Sequence, residues 1–279
     1  VYLNEGTNSH PQFSDYFYAS KAEGGNIGYV GHECICSAQG LFPRVVYWDA
    51  DEKKDLLVGQ HDGKVILYSN IGEDANPVFD SGAFLQVEEA VSRVDIDVNN
   101  LAAPEVVDWN NDNLKDLVIG GIDGRLHLFI NQGTDDAPDF LEETFVQENG
   151  SDLVVHPLGS SPLVLDLDDD GKKDILIGDC EGRLLFYSNV GTDAAPIFSG
   201  YSLVESDGHP IQVDAITGAS PRARPYITDW TGDGYLDVLV GAGDGKVYLY
   251  QGVPEITTLL LLGLGDLALL RKRHDKLMK

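Results

Sequence analysis

Basic residues are scarce in this chain. Nineteen Lys and Arg stand against 46 Asp and Glu in 279 residues, a formal net charge of -27. So strong an acidic surplus repels a phosphate backbone, which argues against nucleic acid as a partner. Cysteine is almost as rare. Cys34, Cys36 and Cys180 are too few and too unevenly spaced for a disulfide framework or a zinc site, and they leave the redox compartment open. A single Met and mostly short apolar runs argue against long helices. What is present is 31 Gly, 12 Tyr and a 43% hydrophobic fraction. That is enough for a packed core rather than disorder, and it reads as many short strands joined by tight turns.

The chain repeats itself. Asp49 to Asn70, Asp108 to Asn131, Asp166 to Asn189 and Asp229 to Gly252 align, with starts 59, 58 and 63 residues apart. A second signature follows the first three: NIGEDANPVF at Asn70, NQGTDDAPDF at Asn131 and NVGTDAAPIF at Asn189. The chain opens on the same phrase, NEGTNSHPQF from Asn4. Such a period marks a repeat architecture.

Within a unit, Leu56-Leu57-Val58, Leu117-Val118-Ile119, Ile175-Leu176-Ile177 and Val238-Leu239-Val240 are wholly apolar, as expected of a central strand buried on both faces. Each run ends in Gly and leads to Asp62-Gly63, Asp123-Gly124, Glu181-Gly182 or Asp244-Gly245, a two-residue turn signal with positive φ. An alternating strand follows, then the Pro-x-Phe segment. About sixty residues suffice for a four-stranded sheet that cannot bury both faces alone, so the sheets are expected to stack radially as an all-β propeller with four visible blades. The last unit stops after its third strand at Tyr250, while Val1-Tyr2-Leu3 repeats the end of such a strand. Either the N-terminal segment completes the last sheet and closes a ring, or earlier blades are missing. The duplicated strand favours the second account, which also explains the absent signal peptide.

The loop before each apolar run is acidic. Asp166, Asp168, Asp170 and Asp174 occupy positions 1, 3, 5 and 9, with Gly171 where the loop must bend. Calcium takes six to eight oxygens, and alternate side chains plus a backbone carbonyl, here that of Lys172, can converge on one ion. Four unpaired carboxylates so placed would otherwise repel. The same positions hold Asp108, Asn110, Asp112 and Asp116 with the Leu114 carbonyl, and Asp229, Thr231, Asp233 and Asp237 with the Tyr235 carbonyl; one neutral ligand in each weakens those sites. The first loop keeps Asp49, Asp51 and Asp55 but is two residues shorter and lacks the fifth-position Asp and the Gly, so it is not expected to bind calcium. An EF-hand is excluded because Ile119, Ile177 and Val240 stand where its bidentate Glu belongs. The competing account is that Asp and Asn simply make turns with their own backbone; recurrence in register favours about three calcium sites.

On these loops and the strand that follows, the units resemble FG-GAP or VCBS repeats, the calcium-loop propeller blades also found in the head of integrin α subunits, over roughly residues 1–252. The resemblance implies calcium in hairpin loops at one rim and a binding or adhesion module whose ligand is an extracellular protein or polysaccharide. A polysaccharide lyase or hydrolase working in the channel, or a structural assembly protein, are the alternatives.

From Val253 the composition changes. Pro254-Glu255 opens an apolar stretch, Ile256 to Leu270, closed by Arg271-Lys272-Arg273. Its fifteen residues fall short of a spanning helix, and Asp266 is costly at membrane depth; the basic end predicts the cytoplasmic side. The segment 253–279 resembles a PEP-CTERM sorting signal, with Ile256 in place of the second Pro. That resemblance implies a short hydrophobic helix, export in a Gram-negative bacterium, transient inner-membrane contact, cutting by an exosortase near Pro254-Glu255, and a final place in the cell envelope or outside the cell.

The remaining candidates carry less. None of the seven His has metalloprotease spacing or a nucleophile partner, and His127 reads as an ordinary strand residue. Cys34 and Cys36 share one face of an outer strand. Trp48, Trp109 and Trp230 recur beside the acidic loops, where packing between blades is the plain reading and stacking on a sugar the sharper one.

Overall fold

Each wholly apolar run becomes the second strand of a small antiparallel sheet, paired on both sides and buried on both faces: Leu57, Leu117, Ile119, Ile175 and Val240 are fully buried. The computed structural model describes residues 12, 18–27, 41–89, 92–156, 159–218, 220–252 and 269–272, among which every regular element is a strand.

The first blade runs β1 (Phe42–Val46), β2 (Asp55–Gly59), β3 (Val65–Tyr68) and β4 (Ala83–Phe84) in spatial order, followed by a hairpin of β5 (Gln86–Glu89) and β6 (Ser92–Asp95). The second repeats the plan with β7 (Ala103–Val107), β8 (Asp116–Gly120), β9 (Leu126–Phe129) and β10 (Thr144–Phe145), then β11 (Gln147–Glu148) with β12 (Ser151–Asp152). The third has β13 (Ser160–Leu165), β14 (Asp174–Asp179), β15 (Leu184–Tyr187) and β16 (Ser202–Leu203), then β17 (Glu205–Ser206) with β18 (His209–Pro210). The fourth has β19 (Arg224–Thr228), β20 (Asp237–Gly241), β21 (Val247–Gly252) and β22 (Leu269–Lys272). The chain is all-β, and its repeating unit is the β-propeller blade, four times over.

The last blade departs from the expectation at its fourth strand. That place is held by β22, antiparallel to β21 and parallel to β17, so the tail residues Arg271 and Lys272 are extended. Pro254, Glu255, Arg273 and residues 256–268 of the expected helix lie outside the described residues, as do Val1–Leu3, Cys34 and Cys36, while Leu269 and Leu270 at its end are strand.

The blades fall into two compact units. The first holds the first two blades through Pro162, together with Asp193–Ala195; the second holds the other two from Leu163. The first unit's core gathers Trp48, Leu57, Ile96, Leu117, Phe129 and Phe140; the second's gathers Leu176, Leu184, Val213, Val240 and Tyr250. Among the described residues the Phe of each Pro-x-Phe segment (Phe79, Phe140, Phe198) is buried.

The turn between second and third strands differs from the two-residue form expected. Gly63 donates to the Gln60 carbonyl at 3.2 Å while Gln60 donates to the Lys64 carbonyl at 2.8 Å. The loop therefore has three residues, and only its Gly takes a positive φ: 95° at Gly63, 80° at Gly124, 84° at Gly182 and 80° at Gly245. In the second blade Asp123 caps the turn, its Oδ1 accepting the Arg125 amide at 3.0 Å. The Gly that ends the second strand has another cause. A Cβ on Gly59, Gly120 or Gly178 would overlap the carbonyl oxygen of Ala102, Ser160 or Ala223, where the chain enters the following blade.

Candidate metal centre

The four acidic loops join first and second strands at equivalent corners of the blades. Their backbones reverse through left-handed residues in pairs: Asn111 and Asn113, Asp169 and Gly171, Gly232 and Gly234. Gly171 bends the loop as expected, and Asn, which tolerates this conformation, replaces it at position 113. The shortened first loop keeps one such residue, Glu52, with φ 64°.

The first-position Asp collects the amides of the bend. Asp166 Oδ1 and Oδ2 accept from Asp170 and Gly171 at 3.1 and 2.9 Å; Asp108 accepts from Asp112 and Asn113 at 3.0 and 2.9 Å; Asp229 accepts from Asp233 and Gly234 at 3.1 and 3.0 Å. The third and fifth positions make the next turns. Asn110 Oδ1 and Asp168 Oδ1 accept the amides of Asp112 and Asp170; Asp112, Asp170 and Asp233 accept those of Leu114, Lys172 and Tyr235. Leu114 and Lys172 are half-buried, and Tyr235 is exposed. Turn-making and cation binding are thus compatible roles at Asp108 and Asp166, where each carboxylate oxygen accepts one amide and keeps a lone pair; Asp229 Oδ1 accepts two, from Gly232 and Asp233.

The ninth position has a role that spacing did not reveal. Asp55, Asp116, Asp174 and Asp237 are all buried, and each staples two strands through backbone amides. Asp116 accepts from Trp109 at 2.8 Å and Asn131 at 2.7 Å; Asp174 accepts from Leu167 and Asn189; Asp55 accepts from Trp48 and Asn70; Asp237 accepts from Trp230, Thr231 and Gly252. Burial pushes the Asp116 carboxyl up to about 6 against these two amide bonds, with Asp112 and Asp108 adding to the rise. Burial raises Asp174 as well, and Asp168 and Asp170 add to it. At Asp49 the amide of Asp51 lowers the pKa, but burial with the Asp51 and Asp55 carboxylates carries it above the usual range. A cation beside these groups would relieve the cost of their charge.

Two loops bring three carboxylates together. Oxygens of Asp166, Asp168 and Asp174 lie within 4.8 Å of one another, and so do those of Asp49, Asp51 and Asp55. The first loop, not expected to bind calcium, nonetheless forms one of the two groups. Asp170 is turned to Lys172, whose Nζ lies 2.7 Å from its Oδ2. Asp108, Asp112 and Asp116, and Asp229, Asp233 and Asp237, form no such group among the described residues. In the fourth loop the Thr231 hydroxyl oxygen is buried without a hydrogen-bond partner, and its lone pairs are free to coordinate a cation. The all-oxygen donor sets suit a hard divalent ion.

Other recurring residues escaped the sequence reading. Asn131 Oδ1 accepts from Gly133 and Asp139 at 2.9 Å each and so folds the loop that carries Pro-x-Phe; Asn70 and Asn189 do the same. The invariant spacing Asn-x-Gly was the available signal. His127 is a buried strand residue, as expected, yet its Nδ1 meets Glu143 and its Nε2 lies 3.3 Å from Asp123. Trp48 and Trp109 are buried and Trp230 half-buried, which favours packing for the first two over stacking on a sugar. No protein-family model matches the chain, and a search of curated proteins finds no match.

Proposed function

We propose that this chain is an exported calcium-binding propeller that serves as a binding or adhesion module, with the metal structural rather than catalytic. One observation carries the reading: three carboxylates gather within 4.8 Å at equivalent corners of the first and third blades, in a chain whose charge of -27 makes such crowding unfavourable without a counter-ion. Asp49, Asp51 and Asp55, and Asp166, Asp168 and Asp174, are the first ligands; Asp108, Asn110, Asp112 and Asp116, and Asp229, Thr231, Asp233 and Asp237, supply weaker sites. The resemblance to FG-GAP and VCBS repeats supports calcium as the ion and an extracellular protein or polysaccharide as the ligand of residues 1–252. The resemblance of residues 253–279 to a PEP-CTERM signal supports export, transient membrane contact and processing by an exosortase. Isothermal titration of chelator-treated protein tests the metal: saturable calcium binding that Asp168→Asn weakens is expected, and no binding heat with an unchanged melting curve would overturn it. Accumulation of the tail-deleted protein in the same compartment as the intact one would overturn the sorting role.

A further inference from the structure

Within the first unit, a cleft of about 780 Å³ opens where the acidic loop of the first blade faces the asparagine loop of the second. Its walls are apolar at Leu67 of β3, Phe84 of β4 and Pro138, and they carry three carboxylates: Asp49, Asp51 and Asp136. Asp136 Oδ1 accepts the amide of Ala50 at 3.3 Å, so this carboxylate sits against the residue between Asp49 and Asp51. Arg93 on β6 also lines the cleft, its guanidinium engaged by Asp139. Asp51 is paired with Lys53 at 3.6 Å, which leaves Asp49 and Asp136 as the lining carboxylates outside an ion pair among the described residues. The lining is therefore negative beside an aromatic and aliphatic surface. The volume lies in the range of small-molecule sites and exceeds what a single metal ion needs.

We propose that this cleft binds a small organic cation on an apolar stem, an alkylammonium or alkylguanidinium, with the head against Asp136 and the stem over Leu67 and Phe84. Charge complementarity selects the head, and the apolar wall selects the stem. Asp136 lies outside the Asp49, Asp51 and Asp55 group, which separates this proposal from the calcium reading. The test is calorimetric titration of the full chain with butylguanidinium, butylammonium and, as the neutral control, 1-butanol. Saturable binding of the two cations, weakened by salt and absent for the alcohol, is expected. Asp136→Asn, at an exposed side chain, should weaken it about tenfold while leaving calcium affinity unchanged. Phe84→Leu should weaken both cations with circular dichroism unaltered. Equal binding of the alcohol, or undiminished cation affinity in Asp136→Asn, overturns the proposal. Calcium binding without cation binding overturns it too, and leaves the metal reading standing.

Discussion

At the scale of single residues, the last Asp of each acidic loop ties the blade together through backbone amides, and at Asp116 and Asp174 burial outweighs those amides and raises the pKa. Asp174 is fully buried and accepts amides from both flanking strands; removing it strands two buried donors at about 1–3 kcal/mol each. Asp174→Ala should therefore lower stability by about 2–5 kcal/mol in denaturant titration, and the loss should persist in excess chelator. A loss that vanishes with the metal would make Asp174 a ligand only. The spacing of carboxylates was legible in the sequence, and so was the Gly171 bend. The staple was not, because an amide fifteen positions away, at Asn189, becomes a partner only once the third strand has folded back. For the same reason His127 read as an ordinary strand residue: its partner Glu143 arrives from beyond the strand.

At the scale of elements, Gly59, Gly120 and Gly178 mark where the next blade enters. Gly178→Ala would drive a Cβ into the Ala223 carbonyl and should cost about 1–3 kcal/mol. Gly241→Ala, whose nearest described atoms are those of Arg224 at 3.8 Å, should cost well under about 1 kcal/mol. Thermal melts of the pair check the contrast, and equal losses would refute it. A second elemental device ties β6 to the start of the third strand: Lys64 Nζ lies 3.0 Å from Asp95 Oδ2. The Lys64 ammonium holds the Asp95 carboxyl below its ordinary range, with Gln86 assisting against the opposing cost of burial. A depressed carboxylate stabilises the fold above its unfolded pKa and loses that contribution as the pH falls through its folded value. Asp95→Asn should thus cost up to about 1 kcal/mol at neutral pH, as both groups are partly exposed, and nothing in strong acid. Chemical denaturation at the two pH values measures this.

At the scale of the whole molecule, 46 acidic residues against 19 basic ones set a repulsion that bound cations would relieve. Saturating calcium at about a hundred times its dissociation constant should stabilise by about 2.7 kcal/mol per site, roughly 5–10 °C in melting temperature, and chelator should reverse it; a melt indifferent to both would sink the metal reading. The sequence alone determined the period, the central buried strands, the Gly turn and the acidic corners, because each depends on residues within one blade and on backbone conformations that only Gly, Asn or Asp adopt readily. Tertiary structure decided the rest. Which carboxylates meet, in the first loop as well as the third, depends on how each corner folds. The cleft beside Asp136 exists only because a loop of the second blade comes against a loop of the first, eighty-six residues away, and no local pattern encodes an approach made by packing.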